Sequence, residues 1–236
     1  MPLPKLVAPT YELELPSTSQ KIKYRPFLVK EEKILLLAME SEDEKQMINA
    51  VQTILKNCIQ TKLKVEDLSI FDIEYLFLNI RAKSVGEEIE LNITCPDDGE
   101  TTVPVTINVE DIKVQKSDDH EKIIAMNDSI SITMKYPSME MFVQNNLSGN
   151  VKTEDIFEIA SSCIDQVVDG EEVYEVKSFS KKEINEFLDS LDTNQFMKIQ
   201  KFFETMPKLS HTVNVTNPNT KKDNEVVIEG LASFFA

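Results

Sequence analysis

The 236-residue chain has no tryptophan, only five glycines, two histidines and three cysteines. Each shortage removes a class of function. The scattered glycines form neither a P-loop nor a G-x-G-x-x-G turn, so no phosphate-cradling loop is present. His120 and His211 lack the flanking motifs that mark a Cys–His or Ser–His pair. Three cysteines, an odd number at irregular spacing, argue against a disulfide framework and predict a reducing compartment. No apolar run reaches the ~18–20 residues of a membrane span. The opening Met1-Pro2-Leu3-Pro4-Lys5 lacks the charged and apolar regions of a signal peptide, so none is expected. Basic residues are also scarce: 25 Lys and Arg stand against 41 Asp and Glu, a formal charge of −16. That balance disfavours nucleic acid and anionic membrane as partners. It serves solubility or attracts a basic protein.

What is present is enough apolar sequence for a core, 41% of residues. Residues 1–30 are punctuated by Pro2, Pro4, Pro9, Pro16 and Pro26, which predicts an extended arm with short strands at 11–15 and 21–29. The arm covers its own domain or reaches a neighbouring subunit. From Glu31 the period turns helical. Met47, Ile48, Val51, Ile54, Leu55, Cys58 and Ile59 share one face, and the acidic run at 42–44 suggests a break that makes two helices of 31–59. Ser69, with Asp72 three residues on, caps a helix that ends near Gly86.

Ile89, Leu91 and Ile93 alternate with polar residues, as do Val103, Val105, Ile107 and Val109, so a hairpin turns at Cys95-Pro96-Asp97-Asp98-Gly99. A second hairpin is predicted from Lys122–Met126 and Ser129–Tyr136. Helices follow at Asp155–Val168, from the capping box Ser180–Glu183 to Leu188, and from Asp192 or Thr193 to Pro207. Strands at 210–216 and 224–229 close the pattern.

Both halves thus run helix, hairpin, apolar end, and their turns read alike: Thr94-Cys95-Pro96-Asp97-Asp98 and Thr216-Asn217-Pro218-Asn219-Thr220. The echo suggests a two-fold repeat, against the ordinary recurrence of Pro, Asn and Asp in turns. A zinc ribbon places C-x-x-C in such turns, because two thiolates at that spacing can share one tetrahedral ion. Here Cys95 is followed by Asp98, and the second turn offers Asn217 and Thr220, so a zinc site is not expected. Cys58 and Cys95 read as a buried hydrophobe and a turn residue. His120, after Asp118-Asp119, reads as part of a solvated loop, and His211 as a strand residue. The acidic clusters lack the spacing of a calcium loop. The terminal Leu231, Phe234 and Phe235 either dock on their own domain or insert into a partner.

Several segments together resemble the baseplate hub assembly proteins of T4-type contractile-tailed bacteriophages. They are Ile54–Cys58, Phe71-Asp72-Ile73-Glu74-Tyr75-Leu76-Phe77, Arg81–Glu87, Cys95-Pro96, the opening Leu3–Leu6 with Tyr11–Leu13, and the ending Glu229–Phe235. In that family the hairpin turn can carry a paired-cysteine ribbon, from which this chain departs at Asp98 and Thr220.

The resemblance implies a chaperone-like factor that binds hub or tape-measure proteins in the host cytoplasm during tail assembly, with a permanent subunit of the baseplate hub as the alternative. It implies no catalysis, cofactor or metal. The partner-contact candidates are Phe71, Tyr75, Arg81 and Lys83 on the capped helix, with Leu231, Phe234 and Phe235 at the end. The expected fold is α+β, helices on antiparallel hairpins. Its segments are an arm (1–30), helices with two hairpins (31–136), and a helical segment ending in a hairpin and apolar tail (137–236).

Overall fold

The computed structural model describes residues 7–41, 43–139, 141, 153–230 and 233. The fold is α+β, with helices and small antiparallel sheets. It forms two compact units, one of Met1–Gln115 with Lys208–Ala236 and the other of Lys116–Pro207. The division falls at 115/116 and 207/208 rather than near 136/137. The reason is a strand pairing: β5 (Lys113–Gln115) lies antiparallel to the start of β10 (Lys208–Thr216), with Gln115 opposite Lys208. The chain therefore leaves the first unit and re-enters it at adjacent positions, and the C-terminal hairpin belongs with the N-terminal helices.

The first unit opens with a hairpin of β1 (Tyr11–Glu14) and β2 (Lys21–Tyr24). The second strand is shorter than expected because Pro26 interrupts it and α1 (Val29–Glu40) begins. From Leu15 to Tyr24 the arm packs on its own unit. Leu15, Ile22 and Tyr24 are buried, and Tyr24 bridges Ile59 at the end of α2 (Glu44–Cys58). The break between α1 and α2 falls at the acidic run, where the Asp43 carboxylate accepts from the amides of Lys45 and Gln46.

Helix α3 (Ile70–Val85) starts at Ser69, whose hydroxyl accepts from the Asp72 amide. It ends at Gly86, whose φ of 126° and ψ of 158° lie in the glycine-only extended region rather than the left-handed helical one. One side of α3 buries Ile73, Leu76, Phe77 and Ile80. The other places Leu78 and Ala82 under two hairpins, β3 (Glu88–Thr94) with β4 (Thr102–Asn108), and β10 with β11 (Asp223–Glu229). Inward rows Ile89, Leu91, Ile93 and Leu209, Val213, Val215 fill that layer, as their period of two dictates.

Glu31 is a charged group that this unit holds without solvent contact. Its carboxylate accepts from the Leu28 amide at 2.8 Å and pairs with Arg25 at 3.1 Å and Lys30 at 3.2 Å. Burial alone would raise the Glu31 carboxyl; Arg25, the Leu28 amide and Lys30 outweigh it and leave it below the ordinary value. Arg25→Ala is expected to cost about 1–3 kcal/mol in urea unfolding, since it leaves the buried carboxylate with only Lys30 and the Leu28 amide. Adding Glu31→Gln should recover a large part of that loss.

The second unit is a four-stranded antiparallel sheet in the order β6 (Ile123–Ala125), β7 (Ile130–Met134), β8 (Ile164–Asp169), β9 (Glu172–Glu175). Its helices are α4 (Thr153–Cys163), α5 (Lys181–Asp189) and α6 (Thr193–Thr205). The helix expected to run to Val168 stops at Cys163. Ile164, Val167 and Val168 satisfy a helical period and a strand equally well over so short a run. Pairing of Ile132 with Val167, and a turn at Gly170 (φ 59°), decides for the strand.

His120 is not in a solvated loop. It is buried, with Nδ1 3.0 Å from the Thr205 hydroxyl and Nε2 3.1 Å from that of Tyr136, and its ring packs on Tyr136 and Phe202. Burial, with Lys116 and Lys122 nearby, holds its pKa below the usual imidazole value. The unfolded chain then binds the proton more readily than the folded one. The second unit should lose stability as pH falls through about 6.5, and the loss should level off below the folded pKa. Proton NMR should find the His120 ring titrating below that value, and His120→Gln should flatten this part of the stability profile.

Candidate functional site

The first unit brings the two echoed turns face to face. The turns are built alike over their first five residues, and the second closes one residue sooner. In one, the Cys95 carbonyl accepts from the Gly99 amide at 2.9 Å and the Cys95 amide donates to Thr101 at 2.8 Å. In the other, the Asn217 carbonyl accepts from the Lys221 amide at 2.9 Å and the Asn217 amide donates to Lys222 at 2.9 Å. The fifth residue of each pattern has positive φ, 70° at Gly99 and 63° at Lys221. Lysine adopts there a conformation that its Cβ disfavours, so the turn is imposed by what surrounds it. Cys95 and Asn217, at matching positions, are both fully buried.

Side chains join the turns. Asn217 Nδ2 donates to Asp97 Oδ1 and to Asp98 Oδ2, each at 2.9 Å, and the Thr220 hydroxyl donates to Asp97 Oδ2. Asn219 Nδ2 reaches the Thr101 hydroxyl at 2.9 Å, and the Asp97 amide donates to Asn224 Oδ1 at 3.2 Å. Thr220 and Asn217 hold the Asp97 carboxyl below the ordinary carboxylate range. Thr101, through hydroxyl and amide, and Asn217 do the same for Asp98. Asn224 was not singled out from sequence. Its signal was there: it stands in the inward row with Val226 and Ile228, where an unexplained polar residue requires a partner.

All three thiols are free and buried. Burial pushes Cys58 up to about 11 and Cys163 up to about 12. Burial, with Asp97 and Asp98 nearby, also raises Cys95. His211 is half-buried in β10, and His120 sits among aromatic rings in the other unit. Among the described residues no group of three or more His, Cys, Asp or Glu is placed to hold a metal, and no helix is long and apolar enough to cross a membrane.

The partner-contact candidates are spread. Phe71 is 3% exposed and lies in the core, since α3 is apolar on nearly every side. Tyr75 is half-buried against the hairpin layer. Arg81 is half-buried, and its Nη1 has no hydrogen-bond partner among the described residues. Lys83 is exposed, pairs with Glu87 and stands 5.9 Å over the Tyr11 ring. Leu231, Phe234 and Phe235 lie outside the described residues. A different surface is apolar. Around α1, Leu28, Val29, Leu36, Leu37 and Met39 are all exposed, Val29 at 78% and Leu36 and Leu37 above half.

Fold and turns together define an α+β protein with a ribbon-like pair of hairpin turns. A family model described as T4 bacteriophage base plate protein matches residues 8–236. The chain belongs to that family, which associates it with the tail baseplate of a bacteriophage. No curated protein and no solved structure matches it at a significant level.

Asn217 is the hub of the paired turns. Its Oδ1 also accepts from the amides of Asn219 at 2.8 Å and Thr220 at 3.2 Å. Asn217→Ala leaves buried donors and acceptors open, and should lower stability by about 1–3 kcal/mol in urea titrations. Asn219→Ala, at an exposed position, should cost less than half as much.

Proposed function

We propose that this chain is a baseplate hub assembly factor: it binds a hub or tape-measure protein in the host cytoplasm while the tail forms, and is released before the particle is complete. Membership in the baseplate family supplies the setting. The observation that carries the binding role is the apolar row around α1. Five large apolar side chains exposed around one helix and its entry are costly in water unless they meet a partner. A formal charge of −16 keeps the free factor soluble while that surface stays open. Masking an association-prone surface of a partner needs no catalytic step.

Two experiments test this. Mass spectrometry of purified virions and of infected-cell lysate should find the protein abundant in lysate and absent from virions. A fixed small-integer ratio to the hub proteins in virions would instead make it a permanent subunit. Second, Leu36→Glu with Leu37→Glu should change stability by no more than about 0.5 kcal/mol per site, because both side chains are exposed. The same pair should abolish co-purification with hub components. Retained co-purification removes α1 as the contact.

A further inference from the structure

The paired turns lie against each other, joined by side-chain hydrogen bonds, yet the donor chemistry at the positions a zinc ribbon would use does not fit an ion. A structural zinc site takes four sulfur or nitrogen donors with free lone pairs, two from each turn at the first and fourth positions. Those positions here are Cys95, Asp98, Asn217 and Thr220.

Three of the four are already committed. Asp98 accepts from Glu100 N at 3.1 Å, Thr101 N at 3.0 Å, the Thr101 hydroxyl and Asn217 Nδ2. Asn217 has its Oδ1 against two backbone N–H groups and its Nδ2 against two carboxylates. The reverse amide assignment would set an oxygen against carboxylate oxygens, so the orientation is fixed by its neighbours. An amide NH2 offers no lone pair to a metal. The Thr220 hydroxyl donates across to Asp97. The backbone, by contrast, is matched over the first five residues, although the first turn closes on Thr101, six residues after Cys95, and the second on Lys222, five after Asn217. The first residue's carbonyl accepts from the fifth residue's amide, and the fifth residue has positive φ, at Gly99 and at Lys221.

We propose that the two turns form a metal-free clasp, in which hydrogen bonds among Asp97, Asp98, Asn217 and Thr220 take the place of a tetrahedral ion on a backbone that keeps the ribbon shape. The clasp ties the β3–β4 hairpin to the β10–β11 hairpin. It does so without dependence on metal supply or on the redox state of thiols, of which it contains only the buried Cys95.

The test uses the full chain and a triple variant, Asp98→Cys, Asn217→Cys and Thr220→Cys, which with Cys95 completes two thiolate pairs. The wild-type protein should purify without stoichiometric zinc, and EDTA should leave its Tm unchanged. The triple variant, refolded with cobalt, should bind one ion per chain with the visible spectrum of tetrahedral thiolate coordination, and EDTA should then lower its Tm. Stoichiometric metal in the wild-type protein, or a drop in its Tm on chelation, overturns the metal-free clasp. A triple variant that folds by circular dichroism but binds no cobalt overturns the retained ribbon shape. So does one that stays unfolded with cobalt present.

Discussion

The short pairing of β5 with β10 is the constraint on which the rest depends. Three residues on each side bring Gln115 and Lys208 together across an entire inserted unit. Closing so long a loop adds little entropy beyond that of a shorter one, because the cost grows only with the logarithm of length. Once closed, the chain delivers β10 and β11 to the layer already begun by β3 and β4, and α3 has apolar residues on both sides to cover. Without that return, Leu78, Ala82 and the inward rows of the first hairpin would face water. The first unit is thus completed by its last residues, and its hydrophobic layer is assembled from sequence that lies far apart.

The same return explains why the turns meet. The two hairpins that share this apolar layer run so that their loops lie at the same end of it. Whatever side chains the loops carry must then satisfy one another or be solvated. Asp97 and Asp98 bring two carboxylates to that end, and Asn217 and Thr220 bring the donors that accommodate them. The position of Lys221 at positive φ fits this account. A lone loop would relax to a less strained conformation, whereas a loop held by several hydrogen bonds to its neighbour keeps it.

Much of this was legible in the sequence, and the exceptions have physical causes. The helices at 31–59 and 69–86, the hairpin at 87–109 and the closing strands follow from period and capping alone, because each is long enough for one period to win. Ile164–Val168 reads as helix in the sequence because its apolar spacing fits both periods, and only the partner strand β7 arbitrates. β5 and β9 are too short to carry a period at all. The likeness of the two turns is plain in the sequence, but nothing local says that two such turns touch. His120 was misplaced for a related reason. Two adjacent aspartates signal solvent, while the residues that bury the ring, Tyr136, Phe202 and Thr205, come from distant segments.

The partner-contact candidates on α3 show how a resemblance and a burial pattern carry different information. The stretch Phe71–Phe77 is distinctive because it is dense in large apolar residues, and density of that kind is what a central helix needs. Distinctiveness there reports the fold. A binding surface has the opposite signature, apolar residues where the fold has no use for them. α1 meets that description. Its core contribution is Leu35, Ala38 and the buried Glu31, and it nevertheless carries Leu36 and Leu37 on the outside. The ion pair of Glu31 with Arg25 fixes the rotation of the helix at its first turn. That rotation determines which apolar residues point inward and leaves the rest displayed. An interaction buried within the unit thereby bears on the composition of its exposed face: the carboxylate that anchors the helix start lies inside, and the apolar residues it does not turn inward stay outside.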